Sequence, residues 1–330
     1  MRKIRVAQIG TSKYSHGNEI FAAISGMPEL FEIVGYALPE DLKEKYPDKV
    51  AAFKSSREMT VEEILSNKTI EAVFIETEEM YLTKYAIMAA KAGKHIHMEK
   101  PGGISLSDFE ELISIMKESG RVFHIGYMYR YNPVISKLIE RINNGELGKI
   151  ISVEAQMSGF RGFEHTKWLE NFPGGMMFYL GCHLIDLVLR ICGTPEKIYH
   201  FNKSSGVYDT NAKDYSMAVF EYENGVSFVK TTQAEMGGFA RRQLVVTGTK
   251  GKVEIQPLEI SIKYPMQYTE YKECFSKNWD DKGVNMRSED HDRYNTMMQS
   301  FAKMVRGEME NPNTLDYELE LFRTLTECCG

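Results

Sequence analysis

The chain has 330 residues, of which 43% are hydrophobic and 26% charged, and its formal net charge is -6. The length suits two domains rather than one compact core, and without a block of lysine or arginine the chain lacks the electrostatic signature of a nucleic-acid binder. Its beginning already reads as a strand, and no apolar run approaches the length of a membrane span. We therefore expect a cytoplasmic protein with neither a membrane nor a nucleic-acid partner.

The first part of the chain alternates short apolar runs with helical stretches. The predicted strands span residues 4–9, 32–37, 72–76, 95–98 and 122–126, and the clearest helix spans 82–92. Strands separated by helices are typical of an α/β fold with a doubly wound parallel sheet. We place this domain in residues 1–125.

The triplet Glu99-Lys100-Pro101 closes the fourth predicted strand. Open parallel sheets bind ligands beyond the carboxyl ends of their strands, so a lysine held there by the following proline is a candidate reactive cation. An ordinary solvated surface lysine is the alternative.

From residue 126 the pattern changes. A helix over 134–144 leads into alternating strands at 151–156, 215–222, 226–233, 244–247 and 252–255, and the tail from 291 to 326 is helical again. This alternation predicts a mostly antiparallel open sheet in an α+β domain over residues 126–330 that faces the first domain across a cleft. The strands around 217–236 present a face that no nearby helix in the sequence covers, so we expect a homodimer or homotetramer.

A glycine pair, Gly174-Gly175, precedes a strongly apolar helix. In that helix Tyr179, His183 and Asp186 fall at i, i+4 and i+7, which places them on one face. An imidazole titrates near neutrality, and a carboxylate one turn away can fix its tautomer, so the trio is a candidate acid–base group. A satisfied core histidine is the alternative.

The cysteines show no regular framework, which indicates reduced thiols. No cysteine and histidine spacing resembles a zinc site, so we predict no metal. A thiol nucleophile at Cys182 is disfavoured because neighbouring helical positions point in different directions. The five are Cys182, Cys192, Cys274, Cys328 and Cys329.

Taken together, these motifs resemble the glucose-fructose oxidoreductase, inositol dehydrogenase and MocA family (Gfo/Idh/MocA), of which the chain is identified as a divergent member. The likeness rests on four stretches in the family's order: 92–101, 126–133, 174–186 and 248–255. Glu-Lys-Pro followed downstream by Gly-x-His-x-x-Asp is a specific combination. It implies a dinucleotide-binding Rossmann domain over 1–125 and a substrate-binding and oligomerisation domain over 126–330.

The turn after the first strand departs from the family's Gly-x-Gly-x-x-Gly pattern. Only Gly10 remains, while Ser12 and Ser15 stand at the other two glycine positions. A serine takes more room, but its hydroxyl can donate to phosphate and the helix N-terminus still attracts an anion. A turn that has lost the cofactor is the alternative. The resemblance implies cofactor contacts from Gly10, Ser12, Ser15, Thr77, Glu99, Lys100 and Pro101.

The end of the second predicted strand bears on cofactor identity. Leu38 stands where the family usually carries an acid for the adenosine ribose, and Pro39-Glu40-Asp41 follows it. The acid is therefore absent or displaced by two residues. Lys43 is the nearest cation for a 2′-phosphate. We favour NAD, with NADP open.

The resemblance also implies a mechanism: a nicotinamide-dependent dehydrogenase or reductase that moves hydride to or from a CH-OH group of a sugar or cyclitol. His183 would be the base, Lys100 would hold the reacting oxygen, and Tyr179, which stands where the family commonly has aspartate, would hydrogen-bond the adjacent hydroxyl or merely pack. Further candidates for contact with this small-molecule carbohydrate or polyol are Arg130, Lys167, Trp168 and Asp186, the last also a candidate to orient His183.

Two alternatives stay open. An NAD-using glycosidase on the same fold would cleave a glycoside with no net change in NADH. A catalytically inactive sugar or nucleotide sensor is suggested by the lost glycines, ribose acid and aspartate. Retention of Lys100 and His183 argues against the sensor, because a binding module needs no proton acceptor.

Overall fold

The computed structural model describes residues 2–330 and carries helices and strands in both halves of the chain. The helices are α1 (Gly17–Ser25), α2 (Leu42–Lys45), α3 (Pro47–Val50), α4 (Val61–Ser66), α5 (Leu82–Lys91), α6 (Leu106–Ser119), α7 (Pro133–Asn143), α8 (Phe163–Trp168), α9 (Cys182–Cys192), α10 (Asn295–Val305) and α11 (Leu315–Cys329). Within the described range, none is long and apolar enough to cross a membrane.

Sixteen strands are assigned in residues 2–330. They are β1 (Ile4–Ile9), β2 (Phe31–Ala37), β3 (Ala72–Ile75), β4 (His95–Met98), β5 (Phe123–Ile125), β6 (Ile150–Ser158), β7 (Lys197–Lys203), β8 (Tyr215–Tyr222), β9 (Gly225–Thr232), β10 (Gln243–Gly248), β11 (Lys252–Ile255), β12 (Ile260–Lys263), β13 (Met266–Tyr268), β14 (Glu270–Cys274), β15 (Val284–Arg287) and β16 (His291–Asp292).

The chain divides into two compact units. Unit 1 comprises the residues up to 127 together with 294–322, and unit 2 comprises 128–293 and 323–330. The sequence placed the first boundary at 125 and assigned everything after it to one domain. The structure differs in the tail, because residues 294–322 belong with the first unit.

Unit 1 is built on a parallel sheet with strand order β2-β1-β3-β4-β5, which confirms the predicted doubly wound sheet. The tail belongs to this unit because α10 packs on one of its faces. Phe301 of α10 contacts Phe74, His97 and His124, which are neighbours in register on β3, β4 and β5. An amphipathic pattern in the sequence shows that a helix has an apolar face but not which sheet that face covers.

Unit 2 carries an eight-stranded sheet, ordered β15-β14-β11-β10-β6-β9-β8-β7, and a three-stranded sheet, ordered β12-β13-β16. The large sheet is antiparallel except at β6 and β9, which run parallel. Helix α9 covers one face of β6 and β9. On β8, Ala218 and Phe220 are buried on that face, while Tyr215 on the other face stays exposed.

The helix predicted to follow Gly174-Gly175 is not regular. Residues Met177–Gly181 form a π-helical turn that leads directly into α9. A π turn holds an extra residue, so it changes the α-helical i, i+4 spacing that predicted a shared face for Tyr179 and His183. Turns of this kind are frequent at functional sites.

Candidate active site

In unit 1 the turn after β1 needs glycine at its first position. Gly10 has φ of +89°, and a Cβ there would lie 2.5 Å from Cγ2 of Thr77 and 2.7 Å from its backbone. Only glycine combines this backbone angle with so close an approach. The contact brings the turn against Thr77, two residues beyond the end of β3.

The two serines that replace glycines are buried and bonded to the backbone of the turn. Oγ of Ser12 accepts the Ser15 amide at 3.2 Å, and Oγ of Ser15 accepts the Gly17 amide at 3.3 Å. Each hydroxyl uses a lone pair in this bond, so its proton can still be donated to a phosphate oxygen. Together with the N-terminus of α1, the turn fits a dinucleotide pyrophosphate.

Lys100 lies directly beyond β4 and is 3% exposed, so it is not the ordinary surface lysine of the alternative interpretation. The preceding Glu99 connects it to the dinucleotide turn. Oε1 of Glu99 accepts the Lys100 amide at 2.9 Å, and Oε2 accepts the His16 amide at 3.1 Å.

Three buried glutamates lie close enough to Lys100 for its charge to act on them: Glu76, Glu79 and Glu99. Burial raises the pKa of each carboxyl, that of Glu79 to about 7, while the positive charge of Lys100 acts in the opposite direction. At neutral pH this cluster therefore carries less negative charge than three free carboxylates would.

Glu40 is held as an ionised carboxylate near the end of β2. Its Oε1 accepts hydrogen bonds from Nζ of Lys84 and, at 2.6 Å, from the hydroxyl of Tyr85. The Lys84 bond is the main reason that the pKa of Glu40 lies below its usual value. Its backbone has φ of +62°, an uncommon angle for a residue with a side chain. Lys43, the predicted nearest cation, pairs with Glu58 at 2.9 Å.

In unit 2 His183 lies in the first turn of α9 and is 3% exposed. Its ring meets that of Tyr129 edge to face, with centroids 5.3 Å apart and planes at 86°. The Tyr129 side chain is hydrogen-bonded to Glu259, and burial raises the pKa of its phenol. Tyr129 belongs to the 126–133 motif, and its packing holds the imidazole in place.

Tyr179, in the π turn, packs against two other rings. The Trp168 centroid lies 5.1 Å away at 87°, and the His165 centroid lies 5.2 Å away at 62°. His165 and Trp168 both come from α8 and contact one another at 5.3 Å. The structure thus places two side chains against the phenol ring of Tyr179. One is Trp168, which the sequence predicted as a substrate contact, and the other is His165, which it did not single out.

The other predicted substrate contacts are engaged within the protein. Arg130 donates to both carboxylate oxygens of Asp186 at 2.8 to 3.1 Å, and Arg190 adds a bond at 3.2 Å. This buried cluster fastens α9 to the Met128–Tyr131 turn. Lys167 is exposed and pairs with Glu170. A role of these residues in substrate binding stays a prediction.

Sequence reasoning missed His165, the ring of Tyr129 and the carboxylate of Glu76. A signal existed for two of them: Tyr129 lies inside one of the motifs that carry the family resemblance, and Glu76 is the last residue of a predicted strand. His165 gives no local signal, because its partner Gln233 is 68 positions away.

Two family models match the chain. Residues 4–127 match the oxidoreductase family with an NAD-binding Rossmann fold, and residues 135–254 match the GFO/IDH/MocA C-terminal domain. The chain therefore belongs to the GFO/IDH/MocA family of oxidoreductases, which confirms the resemblance seen in its motifs.

Individual proteins agree with this assignment. An uncharacterized oxidoreductase from Schizosaccharomyces pombe is 28% identical over 202 residues, 60% of this chain and 54% of the relative. A scyllo-inositol 2-dehydrogenase (NADP(+)) from Bacillus subtilis is 23% identical over 202 residues, 60% of this chain and 55% of the relative. The chain thus spans about half the length of these two relatives. The crystal structure of an aldose-aldose oxidoreductase from Caulobacter crescentus aligns with a TM-score of 0.78 at 18% identity, covering 99% of this chain and 98% of that one. This likeness shows a common fold.

Proposed function

We propose that this protein is an NAD-dependent dehydrogenase that moves hydride between a sugar or cyclitol and a nicotinamide cofactor. Family membership supports the reaction type, and the Gly10 turn with its serine hydroxyls fits the cofactor. The inositol and aldose named for two similar proteins support a polyhydroxylated substrate.

The observation that carries this proposal is the burial of Lys100 directly beyond β4, tied through Glu99 to the dinucleotide turn. Burying an ammonium group is costly, and the buried glutamates near Lys100 offset part of that cost to the extent that they are ionised. A cation held at that cost beside the cofactor turn is suited to stabilise negative charge that develops on a substrate oxygen.

Each residue has a distinct role in the proposed reaction. The nicotinamide, when bound, supplies the hydride chemistry. Lys100 holds the reacting oxygen, His183 takes up or returns the hydroxyl proton, and Tyr179 hydrogen-bonds the neighbouring hydroxyl. Trp168 offers an aromatic face for the ring of the substrate.

We favour NAD over NADP because Glu40 is an ionised carboxylate near the end of β2, where an acid binds the adenosine ribose and repels a 2′-phosphate. We further propose a cytoplasmic location and a homodimer or homotetramer. The assembly is supported by exposed side chains on the large sheet of unit 2. These are Tyr199, Phe201 and Tyr215. Light scattering at micromolar concentrations that gives only the monomer mass would contradict the assembly.

The test begins with mass spectrometry of the purified protein for bound dinucleotide, followed by melting curves with NADH and NADPH. A ligand that binds only the folded state raises the melting temperature. Turnover is then followed by NADH absorbance with aldoses and inositols. If millimolar cofactor leaves the melting temperature unchanged, the dehydrogenase proposal fails and the sensor becomes the favoured alternative. Cleavage of aryl glycosides without net NADH would instead indicate the glycosidase.

A further inference from the structure

We propose that unit 1 holds an anion site, separate from the dinucleotide turn, in which Arg121, Lys94 and Nε2 of His95 bind a phosphate group. The site lies where β4 and β5 begin, since His95 is the first residue of β4 and Arg121 comes two residues before β5. The dinucleotide turn follows the carboxyl end of β1, at the opposite edge of the same parallel sheet. The anion site therefore goes beyond the proposed function and stands without it.

An open cavity of about 400 Å³ lies at this edge of the sheet. Its charged lining consists of three cations and one carboxylate: Lys68, Lys94, Arg121 and Glu71. Both Glu71 oxygens are already engaged, because Oε2 pairs with Arg2 and Oε1 accepts the Arg5 amide at 3.2 Å. In residues 2–330 no carboxylate forms an ion pair with any of the three cations, so the cavity carries an excess of positive charge.

The hydrogen bonding of His95 fixes which ring nitrogen carries the proton. The Val122 amide donates to Nδ1 of His95 at 3.0 Å. A backbone amide only donates, so Nδ1 presents its lone pair and Nε2 of the neutral ring carries the proton. Burial and the nearby Arg121 charge lower the pKa of His95 to about 4, which keeps the ring neutral at pH 7.

Arg121 and His95 consequently present two hydrogen-bond donors side by side. Nη1 of Arg121 lies 3.3 Å from Nε2 of His95. A guanidinium never accepts a hydrogen bond, and Nε2 has no lone pair in this tautomer, so neither nitrogen can accept from the other. One anionic oxygen placed beside both nitrogens can accept from each, and such charge-assisted bonds are the stronger kind.

Lys94 adds a second positive charge near Arg121. It is 4% exposed, and its ammonium group donates to the carbonyls of Asn67 and Ile70 at 2.7 and 2.8 Å. These two bonds use two of its three donors. Burial and the Arg121 charge lower the pKa of Lys94. Two cations held this close repel one another, and an anion bound between them replaces that repulsion with attraction.

A phosphate group matches this cavity better than a carboxylate does. A phosphate monoester carries a charge of about −1.5 to −2 at neutral pH, which suits a lining with three cations against one carboxylate. A carboxylate carries a single charge. Apolar groups of Leu65, Ile70 and Ala92 line the cavity as well. They can contact an organic substituent, so we expect a small phosphate ester to bind more tightly than inorganic phosphate.

Spectra of histidine-labelled protein test the tautomer and the binding together. Two-bond proton–nitrogen correlations distinguish the ring nitrogens, and His95→Asn, which keeps an acceptor for the Val122 amide, assigns one of the eight histidines. We expect the His95 proton on Nε2, and a shift of that resonance by inorganic phosphate that saturates at roughly 1 mM. A proton on Nδ1, or a response no larger than that to potassium chloride of equal ionic strength, would overturn the site.

Variants show whether phosphate occupies this cavity rather than the dinucleotide turn. Arg121 is exposed, so Arg121→Gln should keep the fold while weakening the phosphate constant measured at His95 by roughly tenfold. Arg57→Gln, which removes an exposed arginine of unit 1 outside the cavity, is the matched control. Ser12→Ala in the dinucleotide turn should also leave the constant unchanged. A wild-type constant in Arg121→Gln would refute the site.

Two further ligands define the chemistry that the cavity recognises. Glycerol 3-phosphate that binds more tightly than inorganic phosphate identifies a phosphate ester as the ligand, and equal constants identify free phosphate. Acetate that binds as tightly as phosphate would contradict a phosphate site. If the protein binds no NAD, the dehydrogenase proposal fails while the His95 spectra still decide whether phosphate binds here.

Discussion

The Nδ1 atoms of His97 and His124 lie 2.7 Å apart at paired positions of β4 and β5. One nitrogen must donate and the other accept, so one proton lies between the two nitrogens and the accepting ring is neutral. Both side chains are 1% exposed, and Phe301 of α10 packs over them. A polar pair is thus placed in the centre of the unit 1 core.

This pair predicts acid lability. Burial lowers the pKa of His97 from its ordinary 6.5 to about 3, so the folded state holds it neutral while the unfolded chain binds a proton. This contribution to the free energy of unfolding is fully present above pH 6.5. It decreases by about 3 to 5 kcal/mol as the pH falls toward 3. Urea denaturation at several pH values should show a shallower acid slope in the double variant His97→Leu/His124→Leu. An unchanged slope, equal to that of the exposed control His200→Asn, would contradict this.

Glu79 predicts the opposite pH dependence. Burial raises its pKa from 4.5 to about 7, against the charge of Lys100 and together with those of Glu78 and Glu99. Its contribution to stability is complete below pH 4.5 and is lost as the pH rises through 7, by about 3 kcal/mol. Glu79→Gln should therefore gain stability relative to wild type at pH 8 but not at pH 4.5. Exposed Glu118→Gln serves as the control, and a pH-independent difference would argue against the raised pKa.

The buried Arg130–Asp186 pair makes a prediction about stability rather than chemistry. Removing Arg130 leaves the buried Asp186 carboxylate with only its bond from Arg190, so Arg130→Met should lower the unfolding free energy by about 3 kcal/mol. The double variant Arg130→Met/Asp186→Leu should recover much of that loss, which equilibrium denaturation measures. Exposed Lys167→Met, which disrupts only a surface pair, should change little. Equal losses in the single and double variants would show that the pair is not the cause.

Much of unit 1 could be predicted because each of its strands is a short buried run with its own sequence signature. The pairing of His97 with His124 could not, since it depends on the register between strands 27 positions apart. The same holds for His165 and Gln233. Side chains that meet only through tertiary packing leave no periodicity in the sequence.

The helix that carries His183 and Asp186 was predicted in part, while the acid–base role of Tyr179, His183 and Asp186 stays a prediction. The sequence indicates an apolar helix with a histidine and a carboxylate, but a π turn differs from an α turn by one residue and has no composition of its own. Asp186 illustrates a second limit, because a carboxylate one turn from His183 is equally well placed for Arg130, and only the fold decides between them.

Glu40 makes a prediction about cofactor choice. The variant Glu40→Ala removes a charged acceptor for the ribose, so it should weaken NAD binding about tenfold. It should also improve NADP binding, because Lys84 loses its carboxylate partner and can contact the 2′-phosphate. Calorimetric titration of both cofactors measures the two constants. Glu111→Ala, which removes the partner of exposed Lys91 in the same unit, is the matched control. A parallel change in both affinities after Glu40→Ala would exclude it as the discriminating residue.

Lys100 gives the most direct test of the proposed chemistry. If its ammonium stabilises charge on the reacting oxygen, Lys100→Met should lower kcat by roughly a hundredfold or more while the dissociation constant of NAD changes little, as for removal of one positioned electrostatic donor. Lys94→Met is the matched control, because Lys94 is also buried in unit 1 but donates to the carbonyls of Asn67 and Ile70 at 2.7 and 2.8 Å. The control should lose stability and keep its turnover number. If Lys100→Met instead keeps kcat and loses affinity for NAD, the lysine binds the cofactor and the reacting oxygen must be held by another group.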